Sequence, residues 1–152
     1  MNYWLMKSEP DEASIDHLAN APGQTLPWTG VRNYQARNFM RDAMQPGDLA
    51  FFYHSGCPQP GIAGLCEITS PAYPDPTQFD LTSPYVDAKA DPAAPRWWLR
   101  EVRLVRKTAF LPLTRLRSEP ALVGMRLLAP GNRLSITPVT PAEWDHITRN
   151  LL

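Results

Sequence analysis

Apolar and aromatic residues come in short runs punctuated by proline, glycine and aspartate, and those runs predict the elements. Asn2 to Lys7, with Tyr3, Trp4, Leu5 and Met6, has the composition of a strand, and Ser8-Glu9-Pro10 ends it because proline cannot extend a ladder. Ser14 ahead of Ile15, His17 and Leu18 predicts a short capped helix that Ala21-Pro22-Gly23 stops. Asn33 caps a second helix to about Ala43, with Ala36, Phe39, Met40 and Ala43 on one face at helical spacings. Gln45-Pro46-Gly47-Asp48 then turns the chain. Leu49 to His54 and Ile62 to Thr69 are strand-length apolar runs joined by a glycine- and proline-rich loop, the pattern of a hairpin. Gly61 and Gly64 read as turn and strand-packing glycines.

From Ser70 to Pro95 the chain is rich in proline, aspartate and alanine, with only Tyr73, Phe79, Leu81, Tyr85 and Val86 as anchors, which predicts a long excursion. Trp97 to Lys107 is the longest strand candidate, and alternation sends Trp97 and Trp98 to opposite faces. Leu113 to Met125 gives short helical turns broken by Pro120, and Leu134 to Val139 gives a last or edge strand. Thr140, Pro141 and Glu143 then open a C-terminal helix as a capping box with proline in its first turn. Five or six strands with short interspersed helices amount to an α+β protein built on a small, strongly bent mixed sheet closing into a barrel.

Composition narrows the class. At 152 residues with 43% hydrophobic and 20% charged positions, the expectation is one soluble domain spanning residues 1–152. No apolar run approaches the roughly 18 residues of a membrane span and no signal peptide is evident, so a cytoplasmic location without membrane partners is expected. Cys57 and Cys66 lack metal-ligand spacing and are expected to be reduced, non-catalytic thiols. The formal net charge is zero, yet residues 1–95 hold 5 basic and 11 acidic residues while 96–152 hold 10 basic and 4 acidic. A basic surface from the second half could attract a polyanion; the same arginines could equally coat solvated elements.

The stretch from Trp28 to Asn38 concentrates candidate chemistry: Trp28, Tyr34, Arg32, Arg37, Asn33, Gln35 and Asn38 around a helix start. Amides can read the edge of a base, rings can stack on its face, and arginine can hold a phosphate. Tyr53-His54-Ser55 ends a strand, and Lys7-Ser8-Glu9 offers a donor, a hydroxyl and a carboxylate at the end of another. His54 lacks an evident nucleophile with an orienting acid, so a structural role is favoured. No phosphate loop, dinucleotide fingerprint, metalloprotease motif or suggestive acid pair occurs.

Several ordered motifs together resemble the EVE domain family. They are Tyr3-Trp-Leu-Met-Lys-Ser-Glu-Pro10, Trp28-x-Gly-Val-Arg-Asn-Tyr-Gln-Ala-Arg-Asn38, Phe51-Phe-Tyr-His-Ser55, Pro60-Gly-Ile-Ala-Gly64, Tyr73-Pro-Asp-Pro-Thr-Gln-Phe79, Trp97 and Leu134-Ser-Ile136, covering nearly the whole chain. The resemblance implies a PUA-like small mixed β pseudo-barrel with short peripheral helices, related to YTH and SRA domains. It also implies a non-catalytic module that reads a modified base in DNA or RNA through an aromatic pocket. Carried onto this chain, the implied pocket uses Trp28 as a stacking wall, Asn33 and Tyr34 from the helix start, Lys7 and Ser8 from the first strand, and Tyr53, His54 and Ser55 from the hairpin. Phe79 or Trp97 would close it. The long basic N-terminal tail of eukaryotic members has no counterpart before Tyr3, which leaves Arg32, Arg37, Arg41 and the second-half arginines for phosphate contacts. No cofactor or metal is implied. The competing expectation is a small PUA-like enzyme of amidohydrolase type acting on a modified nucleoside or nucleotide-like metabolite, with Lys7, Glu9 or His54 in acid-base work.

Overall fold

Alternation along β1 (Tyr3–Ser8) sets both faces of the sheet. In the computed structural model, which describes residues 1–152, Trp4 and Met6 enter one apolar cluster and Leu5 enters another. The same division runs through β3 (Leu49–His54), where Ala50 and Phe52 join the first cluster and Phe51 and Tyr53 the second. Both faces are therefore buried. That is why these strands read as continuous apolar runs rather than clean alternations.

With β2 (Thr25–Pro27), β4 (Gly61–Ile68), β7 (Glu101–Pro112) and β8 (Ile136–Val139), the six-stranded order is β2-β7-β4-β3-β1-β8. All neighbours are antiparallel except β1 and β3, which run parallel. A parallel pair needs a crossover. It is supplied between Ser8 and Leu49 by α1 (Ile15–Asn20), β2 and α2 (Tyr34–Asn38), which continues into a π-type turn at Phe39–Ala43. These elements cover the first cluster with Ile15, Leu18, Ala36, Met40 and Met44. The second cluster is covered by α3 (Leu113–Arg117), the turns around Leu122 and Leu127, and α4 (Pro141–Asn150), which contributes Trp144 and Ile147.

Register irregularities lie between Phe52 and Tyr53 on β3 and at Ile62–Gly64 and Leu65–Cys66 on β4. Such bulges raise local twist and bend the sheet. Gly64 sits at the bend beneath α1, where a Cβ would come within 2.5 Å of Ile15 Cδ1 and 2.9 Å of the Arg106 carbonyl. Bulk at this position would lift α1 from the sheet.

The β3–β4 hairpin and the Ser14, Asn33 and Thr140 caps form as their sequences predict, each cap side chain accepting a backbone N–H of its helix. The predicted Trp97–Lys107 strand is displaced. Trp98–Leu99 forms β6 and pairs instead with β5 (Tyr73–Pro74), while β7 begins at Glu101 and runs to Pro112. Between them Arg100 turns inward and is only 4% exposed. Its guanidinium donates to the carbonyls of Met40, Met44, Arg41 and Ser70 at 2.6–3.3 Å, tying the end of the second helix to the start of β7. The long excursion is likewise held by buried polar residues, Asp75 and Gln78, together with Tyr85, one of the anchors that its sequence offers. Gln78 Nε2 donates to the Asp75 and Trp97 carbonyls, and its Oε1 accepts from the Arg96 and Trp97 N–H groups.

Cys57 and Cys66 are both free, and burial pushes the Cys66 thiol up to about 12. No helix is long and apolar enough to cross a membrane.

Candidate functional site

Parallel pairing puts the carboxyl ends of β1 and β3 side by side, with Ser8 opposite His54. Ser55 N–H donates to the Ser8 carbonyl at 2.9 Å, and Lys7 N–H donates to the Ser135 carbonyl at 2.8 Å just ahead of β8. Three segments distant in sequence thus meet at one end of the sheet. There a cleft of about 810 Å³ opens, with Lys7, Ser8, Ser55, Arg133 and Ser135 on this side. Glu9, Glu12 and Ala13 follow from the turn after β1. The opposite wall is Leu26 to Val31, and Pro84 and Tyr85 reach in from the long excursion.

Trp28 anchors that opposite wall. Its N–H donates to the Arg100 carbonyl at 2.9 Å, and its ring stands edge-on to Phe52 at 5.3 Å and 78°. The residue is 8% exposed, so most of the indole belongs to the core while the rest lines the cleft. The next residues are fixed by a buried carboxylate. Asp75 accepts from Gly30 N–H at 2.9 Å, from Arg32 at 3.2 Å, and from the Thr77 N–H and hydroxyl at 2.8 and 2.6 Å.

Arg32 has all five of its guanidinium hydrogens engaged. They meet the Tyr85 carbonyl twice, the Val31 carbonyl, Asp75 and the Thr77 hydroxyl. Arg32 therefore fastens the excursion to the wall, and this corrects its expected availability for a phosphate. Arg37 donates to Asn38 and the Arg96 carbonyl and lies over the Tyr34 ring at 4.8 Å, while Arg41 forks onto Asp42 at 2.8 and 3.0 Å. Both remain at the surface with unengaged N–H groups.

Of the ten residues expected around a ligand, Lys7, Ser8, Trp28 and Ser55 converge on the cleft; the other six do not line it. Asn33 caps α2, its side-chain oxygen accepting the Ala36 N–H at 3.0 Å. Tyr34 stacks on Trp97 at 5.0 Å, and Trp97 is buried with its indole N–H on Asp87 at 2.8 Å. Tyr53 faces the second core cluster, where burial pushes its phenol up to about 12. His54 Nε2 accepts the Ile15 N–H at 3.1 Å, capping α1 from a neighbouring strand. Phe79 is half-buried beside Gln78. The sequence does not mark Tyr85, Glu12 or Asp75 as site residues, and it offers Arg133 only as one of the second-half arginines. Tyr85 and Asp75 sit in a loop without periodicity, so no pattern there marked which side chains return to the body of the protein.

The cleft has mixed electrostatics. Burial lowers the pKa of the Lys7 ammonium, and Lys7 belongs to none of the ion pairs. Across from it the Tyr85 hydroxyl donates to Glu12, and burial first, then that carboxylate, pushes the phenol up to about 12. The cleft thus sets cationic, hydroxyl and carboxylate groups beside the Trp28 and Tyr85 side chains.

A family model described as EVE domain matches residues 2–150. Human thymocyte nuclear protein 1 is 44% identical over 163 residues, covering 96% of this chain and 72% of that protein. Among solved structures, a Pseudomonas putida protein is 53% identical with a TM-score of 0.91, covering 96% of this chain and 97% of its own. The human THYN1 protein, solved in complex with DNA containing 5-methylcytosine, is 44% identical with a TM-score of 0.92, covering 97% of this chain and 95% of that one. With its mixed sheet, peripheral helices and near-complete alignment to these proteins, the chain belongs to the EVE domain family and has the α+β, PUA-like fold of that family.

Proposed function

We propose that this chain binds nucleic acid as a non-catalytic reader of a modified base, which it takes into the cleft beside Trp28. The observation that carries the reading is the likeness, at 44% identity and a TM-score of 0.92, to a human protein solved with DNA containing 5-methylcytosine. The cleft supports it: about 810 Å³ lies within the roughly 300–1,000 Å³ of small-ligand sites and accommodates one extruded nucleotide. In this reading Trp28 supplies a stacking surface, Ser8 and Ser55 read the base edge, and Lys7 and Arg133 approach the adjoining phosphate. Arg37 and Arg41 serve neighbouring phosphates. A methyl group on the base displaces water from the apolar wall of Leu26, Pro27 and Val31, a gain of about 0.8 kcal/mol per buried carbon.

Titration of oligonucleotides carrying a panel of cytosine and adenine modifications tests this, with wild type, Trp28→Ala and Trp28→Phe. Wild type should prefer one modified oligonucleotide over its unmodified counterpart. Trp28→Ala should lose that preference while binding unmodified strands as before, and Trp28→Phe, which keeps a ring, should preserve folding and part of the preference. Equal binding of every oligonucleotide by Trp28→Ala and wild type would overturn the pocket. Mass analysis of modified nucleosides after incubation tests the acid-base alternative. Lys7 and Glu9 line the cleft and remain candidates for that chemistry, whereas His54 Nε2 is held by Ile15 N–H. Turnover lost in Lys7→Ala would replace the reader by an enzyme.

A further inference from the structure

We infer that Tyr85 is the second aromatic wall of the cleft, set in place by Glu12 and Arg32, and that it shares with Trp28 the discrimination of a modified base. The inference rests on the reader function proposed above and names a residue outside the motifs that carry the family resemblance. Three independent contacts fix this ring. Its hydroxyl donates to Glu12 across the cleft, linking the excursion to the turn after β1. Its carbonyl accepts from Arg32 Nε and Nη2 at 3.0 and 2.7 Å, and the same guanidinium lies 5.6 Å from the ring centroid. Its phenol carbons lie directly over Gly30: a Cβ there would come within 2.8–2.9 Å of three of them, and Gly30 already holds a φ of +84°.

Gly30 follows Trp28 by two residues in the same wall, so the two rings border one stretch of backbone inside one cleft. The surroundings say which parts are rigid. Asp87, two residues on, is tied to Trp97 Nε1 and to the Gln78 carbonyl, whereas Leu81 before it is 88% exposed. Tyr85 thus sits where a fixed base meets an exposed loop, and a solvent-side hydrogen bond to Glu12 orients it. An extruded base has two faces, and an indole alone covers one. A phenol at the cleft mouth can take the other, or border the plane in which a 5-substituent projects.

The test compares Tyr85→Ala, Tyr85→Leu, Tyr85→Phe and Glu12→Ala with wild type and Trp28→Phe. The probes are the preferred modified oligonucleotide and its unmodified counterpart. Tyr85→Ala and Tyr85→Leu should each weaken binding of the modified probe on the order of tenfold, as removal of a stacking ring does elsewhere, with the unmodified probe unaffected. Tyr85→Phe and Glu12→Ala, which both remove the hydroxyl–carboxylate bond and keep the ring, should each fall between wild type and Tyr85→Ala. Leucine fills space without a π face, so a normal preference in Tyr85→Leu would reduce Tyr85 to packing and overturn the inference. A preference kept in Tyr85→Ala but reduced in Trp28→Phe would overturn it while leaving the reader function intact. Absence of any preference in wild type would remove both.

Discussion

Arg32 shows how a side chain's role is decided by where its hydrogens go. All five donors end on protein acceptors, and its partner Asp75 has a fully buried side chain. Removing Arg32 leaves that carboxylate with only the Gly30 and Thr77 donors and frees the Tyr85 carbonyl. Arg32→Ala is expected to lower stability by about 3 kcal/mol, as loss of one member of a buried pair does, read from the urea unfolding midpoint. A midpoint equal to wild type would return Arg32 to the pool of surface cations. Neither Arg37 nor Arg41 pairs with a buried carboxylate, so their loss should leave the midpoint nearly unchanged.

His54 makes a similar point through protonation. Its Nε2 accepts the Ile15 N–H, which only the unprotonated ring can do, and burial lowers its pKa, opposed by Asp16 and reinforced by Lys107. Since the folded value lies below the ordinary value of about 6.5, the unfolded chain binds the proton more readily between the two. The contribution is complete above pH 6.5 and fades as the pH falls through the lowered folded value. Thermal melts of wild type should therefore lose more stability between pH 7 and 5 than melts of His54→Gln, whose amide oxygen accepts at any pH. Parallel pH profiles for the two proteins would count against this coupling.

Among the elements, the second helix and β7 depend on each other through one buried cation. Arg100 collects carbonyls that the π-type turn at Phe39–Ala43 leaves open, and burial lowers its pKa without a carboxylate in contact. Arg100→Ala would strand at least the Met40 and Met44 carbonyls in a water-poor space. A loss of about 3 kcal/mol or more is expected, measured by denaturant unfolding, with Arg100→Lys recovering only part because an ammonium cannot span the same acceptors. Elements set by local chemistry were legible in the sequence: the Asn33 cap, the Thr140 capping box and the hairpin rest on residues a few positions apart. The strand that propensity predicts from Trp97 to Lys107 divides instead, because Trp98–Leu99 pairs with Tyr73–Pro74 while β4 sets the far end of β7 at Pro112. Propensity cannot choose between partners.

For the molecule as a whole, the acidic first half and basic second half are not two separate surfaces. Lys107 pairs with Asp16 at 2.6 Å and Arg103 with Glu67 at 2.7 Å, so part of the asymmetry closes on itself once β7 lies beside the first half. The site is equally a product of assembly: Ser8, Trp28, Ser55, Tyr85 and Ser135 come from five segments. The class of fold, the hairpin, the caps and the family follow from residue type, spacing and ordered motifs alone. Of the ten ligand residues that the family resemblance implies, Trp28, Lys7, Ser8 and Ser55 line the cleft, all where strands end. It took the packing of distant segments to stack Tyr34 on Trp97 outside the cleft, to make Arg32 a fastener, and to bring Tyr85 back from the long excursion to line the cleft. Those outcomes depend on which buried acceptors lie within hydrogen-bond reach, and that is a property of distances between segments that no local pattern encodes.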